Sequence, residues 1–206
     1  MKMSKSKRNV VDPIDIIEQY GADTARWFVM SDSPPERDVE WTNSGIEAAW
    51  RHLQRVWRLT AEIASDSIEI KNQESNSQEA NLLKKICHKT IRDVTDGIND
   101  FSFNKAIAKL YELTNILSKS KAPKNAKTEA LKILAVLMQP MTPHLSEQIF
   151  SALGIKTLAV DAAWPVADES LLKEDLLILP IQVNGKKKSQ IEISASLDNF
   201  SIENLA

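Results

Sequence analysis

Residues 42–65 read TNSGIEAAWRHLQRVWRLTAEIAS, and the spacing of the apolar side chains within them decides the fold class. Ile46, Ala49, Trp50, Leu53, Val56, Trp57 and Thr60 recur at intervals of three and four, the period of an α-helix with one covered face. One side of this helix must therefore be buried. The opposite side carries Arg51, Arg55 and Arg58 at spacings of four and three, which lines three guanidinium groups along one stripe.

Outward from that run the same period predicts helices over about 78–97, 104–118, 126–139 and 143–153. The first of these carries Leu82, Leu83, Ile86, Thr90, Ile91 and Val94, and the second Ile107, Leu110, Tyr111 and Leu117. Faces of this kind have no stable use except against each other, so residues from about 42 to 153 are read as an antiparallel helix bundle. KNQESNSQE, residues 71–79, is a polar linker inside it. Upstream, DPIDIIEQYG predicts a short helix with Asp12 as N-cap, Pro13 in the first position and Gly21 at its end. ADTARWFVMSD continues as a second helix, with Ala25, Phe28 and Val29 expected inside and Pro34 and Pro35 as its stop.

The tail changes period. Leu179, Ile181 and Val183 alternate with polar or turn-forming residues, as do Ile191 and Ile193, around the hairpin signal Asn184-Gly185. A lone hairpin is marginal in water, so this segment reads as the start of a small α/β domain. The expected fold class is mainly α, with five glycines in 206 residues arguing against an all-β chain.

Hydrophobic residues at 43% and charged residues at 26% describe an ordinary folded protein. With 26 Lys and Arg against 28 Asp and Glu, bulk charge does not attract nucleic acid, so any anion site must be local. Three basic runs qualify: Lys2, Lys5, Lys7 and Arg8; Lys119, Lys121, Lys124 and Lys127; and Lys186, Lys187 and Lys188. A solvated loop is the competing reading of each. The single cysteine, Cys87, excludes an internal disulfide and fits a reducing cytosol. No signal peptide is expected, no apolar run approaches the ~18 residues of a membrane span, and the expected location is the cytoplasm.

His52, His88 and His144 lie far apart with no acidic or cysteine cluster at metal-ligand spacing, so structural roles are expected and no metal site is. Cys87 falls on a covered helix side without an activating pattern and reads as a packed thiol. No phosphate-binding glycine loop is present. The opening residues MKMSKSKRN are different: Lys2 and Lys5, separated by two residues, can approach one polyphosphate together. Contacts that form fully only as charge develops on a leaving group lower a barrier.

The continuation makes that loop specific. KMSKSKRNVVDPIDIIEQYGADTARWF, residues 2–28, resembles the signature loop and following helices of class I aminoacyl-tRNA synthetases. MSDSPPERDVEWTNSGIEAAWRHLQRVWRL, PMTPHLSEQIF, AAWPVAD and LPIQVNGK are similar to the leucine-specific members. The resemblance implies that the intact enzyme makes leucyl-adenylate from leucine and ATP, with Mg2+, and passes leucine to leucine tRNA. It places Lys5 on the lysine that contacts ATP and its departing pyrophosphate, with Lys2 as the second charge. Met3 would tether the loop, and Ser4 and Ser6 would let it close. Arg8 stands where many members have glycine, so the local backbone there is expected to differ.

The same resemblance divides the chain into a catalytic-domain end at 1–35, a tRNA-binding bundle at 36–160, and a linker with the start of a small C-terminal domain at 161–206. Gly21, Ala22, Asp23, Thr24 and Arg26 fall in the link between loop and bundle, where a structural role is expected. Arg51, Arg55 and Arg58, with Lys186, are the candidate tRNA contacts; a solvated helix face competes for the arginines. The ATP-binding half and the editing domain are not in this sequence, so the chain is read as a fragment that binds no cofactor and catalyses nothing alone. The full enzyme is expected to be a monomer. The alternatives are a stand-alone RNA-binding module and a helical protein-interaction module whose arginine stripe meets an acidic partner.

Overall fold

The computed structural model describes residues 3, 10–65 and 78–172, together with the backbone of 176–183 and 186–194. Helix α1 (Pro13–Tyr20) opens on Asp12, whose Oδ1 accepts a hydrogen bond from Ile14 N at 2.9 Å, and Pro13 occupies the first turn, where its missing N–H is not needed. It ends at Gly21, whose φ of 85° is a backbone angle that a Cβ disfavours. Helix α2 (Ala22–Asp32) starts at once, with this single glycine as the joint.

Helix α3 (Asn43–Ser65) is capped by Thr42, whose Oγ1 accepts from Gly45 N at 3.2 Å. Gly45 is needed for a second reason: a Cβ there would lie 2.5 Å from Phe28 Cε2, so α2 and α3 could not approach as closely. Helices α4 (Gln78–Asn99), α5 (Phe103–Lys119), α6 (Lys124–Met138) and α7 (Pro143–Ala152) complete the bundle. At its centre is α6, which packs on α3, α4, α5 and α7 and has Leu131, Leu134, Ala135, Leu137 and Met138 wholly buried. α2 packs on α1, α3, α5 and α7, which builds it into the bundle.

The buried side of α3 is rotated from the one its apolar spacing predicts. Trp50 and Trp57 are 40% and 39% exposed, whereas His52, Leu59 and Ile63 are buried with Ile46, Ala49, Leu53, Val56 and Thr60. The cause is tertiary: Trp27 from α2 and Tyr111 from α5 close over His52 and pull that side inward. Along α2 the inner residues are Asp23, Thr24, Trp27 and Phe28, and Val29, expected inside, is 47% exposed.

After α7 the chain returns across the bundle. Glu147 accepts from Ala159 N and Val160 N at 2.9 and 3.0 Å, and Trp164 Nε1 donates to Thr95 Oγ1 at 2.9 Å. Two compact units result, residues 1–167 and 168–206. The second contains a short helix, α8 (Glu169–Leu172), and strands β1 (Leu176–Val183) and β2 (Lys186–Ser194), which pair antiparallel with Leu177 opposite Ile193 and Leu179 opposite Ile191. Register shifts between Ile181 and Gln182. The expected turn residues Asn184 and Gly185 lie outside the described residues.

Candidate nucleic-acid interface

The three arginines of α3 do project away from the core, but each has a different environment. Arg51 Nη1 lies 3.4 Å from Glu47 Oε2, one turn back, in an exposed pair. Such a pair contributes about 0–1 kcal/mol, so it does not lock the guanidinium away from a stronger anion. Arg55 Nη2 donates to Ser118 Oγ at 2.9 Å near the end of α5. Arg58 Nε donates to the carbonyl of Gln54 at 3.4 Å and is otherwise open to solvent. Ser118 is followed by exposed Lys119 and Lys121, so Arg55 joins the arginine stripe to the second basic run.

Of the other predicted residues, Met3 is 41% exposed. Lys2, Ser4, Lys5 and Ser6 lie outside the described residues. Lys186 opens β2, and its side chain is also outside them. Cys87 is buried, and burial pushes its thiol up to about 12, so it stays protonated and unreactive at neutral pH. Among the described residues no three histidine, cysteine or acidic side chains gather to hold a metal ion, and no helix is long and apolar enough to cross a membrane.

His52 is structural, and its surroundings have a measurable consequence. Its ring stacks on Trp27 with centroids 5.1 Å apart and meets Tyr111 at 3.9 Å, while Trp27 Nε1 donates to Tyr111 Oη at 3.0 Å. Its Nε2 is buried with no hydrogen-bond partner among the described residues. Desolvation first, and the charge of Arg55 second, hold its pKa down at about 4 against an ordinary 6.5. Between those two values the unfolded chain binds a proton that the folded chain refuses. Stability is therefore full above about pH 6.5 and falls as pH drops toward 4, by about 2–3 kcal/mol. His52→Phe is expected to flatten this part of the stability–pH curve measured by urea unfolding; an unchanged slope would show that His52 is not its source.

Asp23 and Arg26, for which a structural role is expected, have partners that no sequence signal gives. Asp23, nearly buried, accepts from Leu145 N through Oδ2 at 2.7 Å and from His144 N through Oδ1 at 3.4 Å, and its Oδ1 is 2.9 Å from His144 Nδ1. Arg26 donates from Nη2 to Pro140 O at 2.6 Å and from Nε to Met141 O at 3.0 Å. The spacing of three between them was visible, but their partners lie more than a hundred residues away, and no local pattern signals such a contact.

Comparison with known proteins fits this arrangement. A family profile described as the anticodon-binding domain of tRNA ligase matches residues 80–203, and one described as tRNA synthetases class I (I, L, M and V) matches residues 1–42. The chain is 55% identical over 205 residues to a leucine–tRNA ligase of Dinoroseobacter shibae, and 56% identical over 207 residues to one of a Jannaschia species. Each alignment covers 100% of this chain and 24% of the relative, so the chain spans about a quarter of the length of the curated relatives it matches. The solved structure of Agrobacterium radiobacter K84 LeuRS in a ternary complex with tRNA and LeuAMS superposes with a TM-score of 0.84 at 30% identity, over 99% of this chain and 27% of that one. With more than half of its residues matched by the first profile and a helical bundle to go with it, the chain belongs to the family of anticodon-binding domains of tRNA ligases.

Proposed function

We propose that this chain forms part of a leucine–tRNA ligase, supplying the bundle that grips leucine tRNA and the loop that steadies pyrophosphate as it leaves. The observation that carries the reading is the outward arginine stripe of α3, linked through Arg55 and Ser118 to the basic end of α5, in a chain similar over its whole length to part of such ligases. Guanidinium groups on one rigid helix suit phosphate oxygens; contacts of this kind set position and leave base identity to other groups. Arg51, Arg55 and Arg58 are the proposed backbone contacts, and Lys186 is a further one. Residues 1–35 would complete the catalytic domain, 36–160 the tRNA-binding bundle, and 161–206 the linker and the start of a C-terminal domain.

In the whole enzyme the carboxylate of leucine attacks the α-phosphorus of ATP, which travels with Mg2+, and pyrophosphate leaves. The leucyl group then passes to a hydroxyl of the terminal ribose of leucine tRNA. Lys5, seconded by Lys2, faces the charge that builds on pyrophosphate, and Met3, Ser4 and Ser6 shape the loop. The enzyme acts in the cytoplasm as a monomer on this reading.

Arg51→Ala, Arg55→Ala and Arg58→Ala test the interface. Each is expected to weaken tRNA binding about 3–10-fold and to lower the slope of log affinity against log salt by about one phosphate's worth. Arg58→Ala should cost more than Arg51→Ala, whose charge is already shared with Glu47. Unaltered slopes in all three would place the tRNA elsewhere.

A further inference from the structure

Asp23 and Arg26 grip the elbow between α6 and α7 from a single turn of α2. They stand three apart, on neighbouring positions of the same helix surface, yet they take opposite sides of one bend. The carboxylate accepts from the Leu145 and His144 N–H groups that open α7, and the guanidinium donates to the Pro140 and Met141 carbonyls that follow α6. Each charge thus meets the end of the helix dipole that favours it. The residue in the usual capping position does not compete: the Thr142 hydroxyl turns back to Met138 O at 3.3 Å and makes no cap bond to α7.

A threonine or serine at position 142 could cap α7 locally, as such residues commonly do. With the cap on α2 instead, the position of α7 is tied to that of a helix more than a hundred residues earlier in the chain. α2 belongs to the segment matched by the class I synthetase profile, and the elbow belongs to the segment matched by the anticodon-binding profile. α2 is joined through the single residue Gly21 to α1, which also packs on α2 and α3, and only Val10, Val11 and Asp12 separate α1 from Asn9 at the end of the opening basic run. We propose that Asp23 and Arg26 are positioning residues, which hold α1 and α2 in register with the tRNA-gripping bundle so that leucine transfer occurs with the tRNA in place. This rests on the reading of the chain as part of a leucine–tRNA ligase.

The test uses the full-length ligase carrying Asp23→Asn, Arg26→Gln or Arg26→Lys. Four quantities are measured: leucine-dependent pyrophosphate exchange without tRNA, the kcat and the KM for charging leucine tRNA, and the thermal midpoint. Misplacement of reacting groups by about 1 Å can cost about a hundredfold. Asp23→Asn and Arg26→Gln are expected to lower the charging kcat by about tenfold or more, with exchange and the KM for tRNA each held within about threefold. Arg26→Lys, which keeps the charge but loses the two-pronged geometry, should recover part of that loss. Equal losses in exchange and charging, or a fall in thermal midpoint with charging unchanged, would reduce the pair to a stabilising contact and overturn the proposal. Arg26 is exposed, so its variants decide the matter even where Asp23→Asn fails to fold. Should the unsubstituted ligase show no leucine-dependent exchange, the functional reading itself fails; should it charge normally and the variants match it, only the register is refuted.

Discussion

Trp27→Ala is expected to destabilise the helical unit by about 3–5 kcal/mol, which lowers its thermal midpoint by about 10 °C or more. Trp27 has no exposed surface and stands where α2, α3 and α5 meet. Its removal leaves a cavity of indole size that three helices cannot all close, and it strips His52 of a stacking partner. It also takes the hydrogen bond from Tyr111 Oη, whose ionisation burial already opposes. Trp27→Phe separates the two effects: the ring is kept in part and the N–H is lost, for an expected cost of about 1–2 kcal/mol. Calorimetry or urea unfolding of both variants reads the difference. Equal, small costs would mean that α2 is not structurally part of the bundle, which would also undermine the role given to Asp23 and Arg26.

Lys5→Ala in the full-length ligase is expected to slow leucyl-adenylate formation about a hundredfold, the usual cost of removing one donor aimed at developing charge. ATP carries its charge spread over three phosphates, whereas departing pyrophosphate concentrates a new negative charge on the oxygen that has just left phosphorus. A lysine that meets this oxygen late in the reaction stabilises the transition state more than bound ATP, so the loss should fall on the rate and spare the KM for ATP. Lys2→Ala should give a smaller effect in the same direction, as the second charge on the loop. A rise in KM at constant rate would assign Lys5 to ATP binding alone, and unchanged turnover would remove it from the mechanism.

Much of the bundle was legible because its signals are local. Asp12 with Pro13 and the three-and-four spacing of apolar residues each act within a turn or two, and the helices start and stop close to where these signals lie. What could not be read is which side of a helix another helix will cover. Trp50 and Trp57 are as apolar as Leu59 and Ile63, but they sit at the margin of the contact and remain half-exposed, while the polar ring of His52 is drawn inside by Trp27 and Tyr111. The candidate site divides in the same way. The arginine stripe follows from helical spacing alone, whereas the Ser118 partner of Arg55 and the elbow contacts of Asp23 and Arg26 depend on residues far away in the chain.

Nothing in the net charge of −2 draws this chain to RNA, so binding has to come from the local stripe. Titrating the unsubstituted chain with leucine tRNA and with a non-cognate tRNA across a salt series therefore tests the account most directly. The account predicts that both tRNAs bind, because contacts to the phosphate backbone do not read sequence, with log affinity falling linearly against log salt and a slope equivalent to a few neutralised phosphates. Binding that is undetectable or indifferent to salt would contradict it.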